Sequence, residues 1–146
     1  MKVIIQTVKK ANVLIDNIEN NSIGKGFLIL VGFTNDDNIE KVDKMVYKIS
    51  DLRIFEDISG KINLSIKDIK GELLIVSNFT LYATIKKGFR PSFENALESS
   101  KAILLYNDFI DKMKNNFPDK VKTGKFGAYM EVSSINDGPK TFIYEI

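Results

Sequence analysis

Residues Ser77-Asn78-Phe79-Thr80 close an apolar run, Glu72-Leu-Leu-Ile-Val76, that reads as a buried strand. Hydrolysis of an ester or amide needs an attacking oxygen and donors aimed at the oxygen that gains negative charge. A strand end can supply both, because its backbone N–H groups no longer all belong to a ladder. The N–H groups of Phe79 and Thr80 are therefore expected to be free to donate, and the Thr80 hydroxyl can donate, accept or attack. The same residues can equally end a strand by bonding locally to the backbone. A second segment, Asn136-Asp137-Gly138-Pro139, reads first as a turn between strands. Gly138 and Pro139 also present nearly bare backbone, a surface able to form a rigid wall that reads the handedness of a substrate's α-carbon.

The composition narrows the chemistry. Among 146 residues there is no His and no Cys. That excludes thiol nucleophiles, disulfides, the Ser-His-Asp arrangement and the usual zinc ligands. A hydrolase built from this chain must use hydroxyls, carboxylates, lysines, backbone N–H groups or the substrate itself. No lysine lies inside an apolar run, which ranks lysine nucleophiles low. Asp36 and Asp37 read as helix-capping residues, and phosphate loops of the Walker or dinucleotide type are absent. Nothing calls for a cofactor or a metal. The net charge of +2 does not itself argue for a nucleic-acid partner. Locally, Lys86-Lys87-Gly88-Phe89-Arg90 concentrates three cations after the first motif, and Lys120, Lys122 and Lys125 lie near another loop. Each group reads as solvated surface or as a rim that contacts phosphates.

The elements that must hold these residues follow from pattern. Val3–Val8 and Val13–Ile18 are rich in β-branched residues and predict an antiparallel hairpin linked by Lys9-Lys10-Ala11-Asn12. Phe27–Val31 is continuously apolar, as in a strand covered on both faces, with a turn at Gly24 and Gly26 before it and Gly32 and Phe33 after it. Asn35–Asn38 supplies cap chemistry for a helix whose stripe is Ile39, Val42, Met45, Val46, Ile49 and Leu52. Arg53–Phe55 predicts a short strand, Asp57–Gly60 a turn, and Leu73–Phe79 the strand carrying the first motif. A second helix is expected from Pro91-Ser92, with Phe93, Ala96, Leu97, Leu104, Phe109, Ile110 and Met113 facing the core and Asn115, Asn116 and Pro118 stopping it. Strands at Tyr129–Ile135 and Thr141–Ile146 follow, separated by Asn136–Pro139. With no linker or repeat, residues 1–146 are expected to form one α+β domain with a mixed or antiparallel sheet and two main helices. No apolar run reaches the roughly 20 residues of a membrane span, and residues 1–6 lack signal-peptide features, so a cytoplasmic location is expected.

Together, these segments resemble a known family. Ser77-Asn78-Phe79-Thr80-Leu81 resembles the Ser-Gln-Phe-Thr-Leu signature of the D-aminoacyl-tRNA deacylases, and Asn136–Thr141 resembles their Asn-x-Gly-Pro-x-Thr signature. Leu52–Glu56, Gly88–Phe93 and Thr123–Gly127 match further family segments at collinear spacing. The resemblance implies a compact β-barrel-like domain that forms a homodimer and hydrolyses the ester joining a D-amino acid, or misplaced glycine, to the terminal adenosine of tRNA. It implies a cis peptide at Gly138-Pro139 that enters the partner subunit's site and excludes an L side chain. Ser77, Asn78, Phe79 and Thr80 would hold and cleave the aminoacyl ester, either with the tRNA 2′-hydroxyl assisting or with the Thr80 hydroxyl as nucleophile. Phe126 and Met130 would line the adenosine pocket, and Lys86, Lys87 and Arg90 would meet phosphates. Two residues depart from the family pattern: Asn78 replaces a Gln, and Thr7 replaces an Arg. A non-catalytic tRNA-binding module, or an editing domain for L-aminoacyl-tRNA related to those of threonyl-tRNA synthetases, are the other readings of such a chain.

Overall fold

One long strand organises the molecule. In the computed structural model, which describes residues 1–86 and 88–146, β1 runs unbroken from Lys2 to Ile15. Lys87, one of the candidate cations, lies outside the described residues. The expected hairpin across Lys9–Asn12 does not form. Lys9 and Lys10 stay in an extended strand, exposed, where β1 bulges against its neighbour. The turn comes later, at Asp16 and Asn17, with φ of 48° and 59°. Asp and Asn tolerate this left-handed region better than other side chains, which is why the chain reverses there.

β2 (Glu19–Ile23) and β3 (Gly26–Gly32) both pair antiparallel with β1, β3 along its first half and β2 along its second. Helix α1 (Ile39–Ser50) starts at Asn38, whose side chain accepts from the Lys41 N–H at 3.0 Å. It buries Val42, Met45, Val46 and Ile49, the expected stripe, whereas Ile39 is exposed and Leu52 lies beyond its end. β4 (Arg53–Glu56) and β5 (Ile62–Ser65) form a small separate sheet. β6 (Glu72–Ser77) then pairs parallel with β3, and a 3-10 helix, Phe79–Tyr82, follows at once. Phe79 thus lies in that helix and not in the strand.

Helix α2 spans Ser99–Asn116, eight residues later than its expected start. The backbone of the preceding segment is committed elsewhere: Thr84 and Ser92 exchange N–H···O bonds of 2.9 Å, and the Leu97 N–H donates to the Phe33 carbonyl at 2.9 Å. Residues bonded this way cannot form helical i→i−4 bonds. Consequently the buried face of α2 is Ala102, Tyr106, Phe109, Ile110 and Met113, and Leu104 faces outward. β7 (Val121–Thr123) adds to β6 in parallel, and β8 (Met130–Glu145) runs antiparallel along the other side of β1. β8 is one strand, not two. Asn136 pairs with Val8 and Thr141 with Gln6, so residues 137–140 bulge out opposite Thr7 alone.

The sheet is mixed, in the order β2-β1-β3-β6-β7 with β8 beside β1. It nearly closes into a barrel: the Asn21 side-chain amide reaches the Thr123 carbonyl at 2.9 Å, and the Gly24 N–H donates to the Glu72 carboxylate at 2.6 Å. One face packs against both helices through residues such as Phe27, Ile29, Ile75 and Phe109. The other gathers Val8, Val13, Leu28, Leu74 and Val76 inside the curl. Each fully buried aliphatic or aromatic side chain contributes about 1.5–3 kcal/mol, and β3, buried on both faces as its apolar run implied, anchors both layers. Among the described residues no helix is long and apolar enough to cross a membrane.

Candidate active site

The parallel strands β3 and β6 end side by side, and a cavity of about 280 Å³ opens there. Its floor is Val31, Gly32, Ser77 and Asn78. The Asn78 N–H makes a last ladder bond to the Val31 carbonyl at 2.7 Å. The Asn78 side chain then turns the chain into the 3-10 helix: its Oδ1 accepts from the Thr80 N–H at 3.1 Å and from the Thr80 hydroxyl at 2.6 Å. Such local bonding by Asn is the usual way to start a helical turn. Gly32 makes the close approach possible, because a Cβ there would lie 2.8 Å from the Asn78 carbonyl oxygen.

Three other elements wall the cavity. Leu97, held by its backbone bond to Phe33 just beyond β3, covers one side, and Ser99 and Ala102 bring the first turn of α2 to another. A helix N-terminus carries partial positive charge from its unpaired N–H groups. The segment after β7 supplies Phe126, Gly127, Ala128 and Met130. Met130 settles over Gly124, where any Cβ would lie 2.4 Å from its sulfur. Phe126 rests against the Tyr106 ring, centroids 5.6 Å apart, and the Tyr106 hydroxyl donates to the Ile75 carbonyl at 3.2 Å. Burial raises the Tyr106 pKa further above its ordinary value of 10.0, so the phenol keeps its proton and remains a fixed donor under the cavity wall.

The fold therefore unites five of the residues singled out in the sequence: Ser77, Asn78, Phe79, Phe126 and Met130. Ser77 and Asn78 are half-buried, and Phe79, 59% exposed, meets Phe93 edge-on at 5.0 Å to form one lip. Thr80 sits just outside the lining, exposed. Its N–H is not free, contrary to the expectation from the strand end, because Asn78 Oδ1 takes it. The N–H of Phe79 opens the 3-10 helix and has no partner inside it. Lys86 and Arg90 are exposed and neither lines the cavity; Lys86 borders a separate recess with Lys2, Tyr82 and Asn95. Asp37 is not a cap. Its side chain is buried, paired with the Met1 amino group and accepting from the Thr34 N–H at 2.8 Å.

Gly138 and Pro139 stand apart from the cavity of their own chain. Their peptide bond is cis, and both residues are exposed on the β8 bulge. Gly138 borders a smaller recess of about 120 Å³ with Thr7, Phe55, Glu56, Asp137 and Lys140. The bulge is tied down on both sides. The buried Thr7 hydroxyl donates to the Asp137 carbonyl at 2.6 Å, and Lys140 pairs with Glu56 at 2.6 Å. Sequence reasoning missed Leu97, Ser99 and Ala102 as site residues, since nothing in their local pattern separates them from ordinary helix-start and core positions. Gly32 carried a faint signal as the glycine ending a buried strand.

Chemically, the cavity has apolar walls that include Phe126 and Met130. It also offers hydroxyl, amide and backbone N–H donors at the strand end. It contains no imidazole or thiol, so what the arrangement can offer a reaction is orientation and hydrogen-bond donors.

The chain is similar to known proteins along nearly its whole length. The family model described as D-Tyr-tRNA(Tyr) deacylase matches residues 4–145. A D-aminoacyl-tRNA deacylase of Clostridium acetobutylicum is 46% identical over 99% of this chain and 97% of its own length. Another, of Lactobacillus gasseri, is 49% identical over the whole of both chains. Among solved structures, one described as c-Myc DNA Unwinding Element Binding Protein superposes with a TM-score of 0.93 at 40% identity, covering 100% of this chain and 99% of that one. A probable eukaryotic D-amino acid tRNA deacylase shares the fold at a TM-score of 0.89 and 16% identity, covering 99% and 98%. A full-length match of this kind, on a chain whose strand-end motif and aromatic wall form one cavity, means that the chain belongs to the D-Tyr-tRNA(Tyr) deacylase family.

Proposed function

We propose that this protein hydrolyses the ester linking a D-amino acid, or mischarged glycine, to the 3′-terminal adenosine of tRNA, releasing the free amino acid and tRNA. The observation that carries this reading is the convergence of Ser77–Phe79 with Phe126 and Met130 around one cavity in a chain matched to the family over its whole length. The adenine ring lies between Phe126 and Met130, and the aminoacyl ester lies over Ser77, Asn78 and Phe79. The Phe79 N–H and its neighbours stabilise the oxyanion. The Thr80 hydroxyl, already donating to Asn78, fixes the turn. The attacking water is directed by the tRNA's own 2′-hydroxyl, since an aminoacyl ester is activated and needs chiefly orientation.

The working unit on this reading is a homodimer in which Gly138 and Pro139 of one subunit enter the cavity of the other and bar an L side chain. Two observations support it. Gly138 lies opposite Thr7, which pairs with Phe27 on β3, whereas the cavity begins at Val31. Those four residues separate the two by about 13 Å along the strand. β8 also exposes Val132, Ile135 and Ile143 on a strand with no further partner among the described residues, an apolar edge that monomers rarely leave open. The reading carries with it a cytoplasmic location, where charged tRNA is used.

Incubation with D-Tyr-tRNA, L-Tyr-tRNA and Gly-tRNA tests the proposal: D-Tyr-tRNA and Gly-tRNA are cleaved and L-Tyr-tRNA is spared. Inertness toward all three with retained tRNA affinity would favour a non-catalytic RNA-binding module. Release of an L-amino acid would favour an editing domain.

A further inference from the structure

The cavity does not end at Phe126. Phe126 also borders an open trough of about 550 Å³ along α2 and β7, lined also by Asn107, Lys114, Thr123 and Lys125. Lys114 in turn borders a third recess with Pro118, Asp119 and Lys122. Shared lining residues thus set three depressions next to one another, the cavity and the trough meeting at Phe126 and the trough and the third recess at Lys114, with Lys125 and Lys122 along the way. The cations along this course are exposed, and Lys120 lies beside them. Asp111 and Asp119 also border the course, but among the described residues neither Lys114, Lys120 nor Lys122 has an acidic partner within ion-pair distance; Lys125 leans on Asp16 at 3.7 Å. Another lip of the cavity carries Phe79, which meets Phe93 edge-on.

We propose that this course is the track of the RNA backbone: a strand whose terminal adenosine occupies the cavity passes over Phe126 and lays its phosphates along Lys125, Lys114 and Lys122. The inference rests on the reading of the cavity as an aminoacyl-adenosine site, and it locates the rest of the tRNA on the α2–β7 side, away from Lys86 and Arg90. Phosphates bound by exposed lysines release counterions, so affinity falls with salt by close to one unit of log–log slope per contact. The polar side chains of Asn107 and Thr123 stand ready along the same course for sugar hydroxyls.

The test is fluorescence anisotropy of labelled, uncharged tRNA with the full-length protein from 50 to 200 mM salt, alongside single-turnover deacylation of D-Tyr-tRNA. The variants are Lys114→Gln/Lys122→Gln, Lys86→Gln/Arg90→Gln, and Lys44→Gln/Lys61→Gln as a control for total charge. The trough pair is expected to weaken tRNA binding about tenfold or more at 100 mM and to lower the salt slope by about two. Its saturating single-turnover rate stays within about twofold of the parent, since the cavity is untouched. A wild-type slope and affinity in the trough pair would overturn the track, as would a larger loss in the Lys86/Arg90 pair or an equal loss in the control. Because the binding arm needs no turnover, a protein that binds tRNA through the trough yet cleaves nothing would sink the catalytic reading and leave the track standing.

Discussion

Thr7 is the most informative place to perturb the proposed selectivity. Its side chain is 1% exposed, and its hydroxyl makes a 2.6 Å bond to the Asp137 carbonyl at the start of the Gly138–Pro139 bulge. Thr7→Val keeps the shape and removes the donor, leaving the Asp137 carbonyl without that partner. Removing one side of such a bond costs about 1–2 kcal/mol, which for a chain of this length lowers Tm by about 3–8 °C. The other ties are weaker: the Glu56–Lys140 pair is half in solvent, where screening leaves little net attraction, and the Gln6–Thr141 contact is exposed and 3.3 Å long. Thr7 is therefore the main anchor of a segment that bulges four residues against one. If that segment screens the substrate's α-carbon, a loosening of 1–2 kcal/mol translates into a fall of about 5–30-fold in the D-over-L preference. Thermal unfolding is measured beside deacylation of D-Tyr-tRNA and L-Tyr-tRNA under kcat/KM conditions. A lower Tm with an unchanged D:L ratio refutes the link between the anchor and selectivity. An unchanged Tm refutes the energetic argument itself.

Further outcomes follow from the same geometry. Gly138→Ala places a Cβ 2.7 Å from the Lys140 nitrogen at a φ of +141°, so it should erode the D:L ratio; full selectivity in a folded variant would make the bulge merely structural. Thr80→Ala removes a hydroxyl that donates to Asn78 outside the cavity lining, and the expected loss in kcat is about tenfold or less, the scale of one neutral hydrogen bond; a loss of several thousandfold would identify that hydroxyl as the nucleophile. Gly124→Val forces the Met130 sulfur from its seat, and KM for charged tRNA should rise with little change in kcat, read by steady-state kinetics. Lys140 bonds to Glu56 and lowers its pKa below the ordinary 4.5. The unfolded chain then binds that proton more readily, so the contribution is present above pH 4.5 and disappears as acid protonates the native carboxylate. Glu56→Gln should accordingly match the parent in urea melts at low pH and fall below it at neutral pH; parallel curves at both would reject the pairing.

Local chemistry wrote much of this molecule into its sequence. The strand Phe27–Val31, the capped helix after Asn38, the short strand at Arg53 and the strand-end motif at Ser77–Asn78 each follow from periodicity or capping. Those signals depend on neighbours within a few residues. The absence of His and Cys, visible at once, fixed the kind of catalysis available. Tertiary structure decided what pattern could not. Lys9-Lys10 looked like a turn but stays extended, because β8 pairs with β1 on both sides of Lys9, at Val8 and Lys10, while β3 and β2 hold the strand just before and just after it. Pro91–Leu97 looked like a helix start but spends its hydrogen bonds on Thr84 and Phe33. Asn136–Pro139 looked like a loop between strands but is a bulge within one, because the residues before and after it pair with the same strand. Above all, the union of Ser77, Asn78, Phe79, Phe126 and Met130 in one cavity, with Ser99 and Leu97 beside them, required parallel pairing of β3, β6 and β7. That pairing joins segments tens of residues apart through backbone hydrogen bonds, which carry no side-chain signature in the sequence.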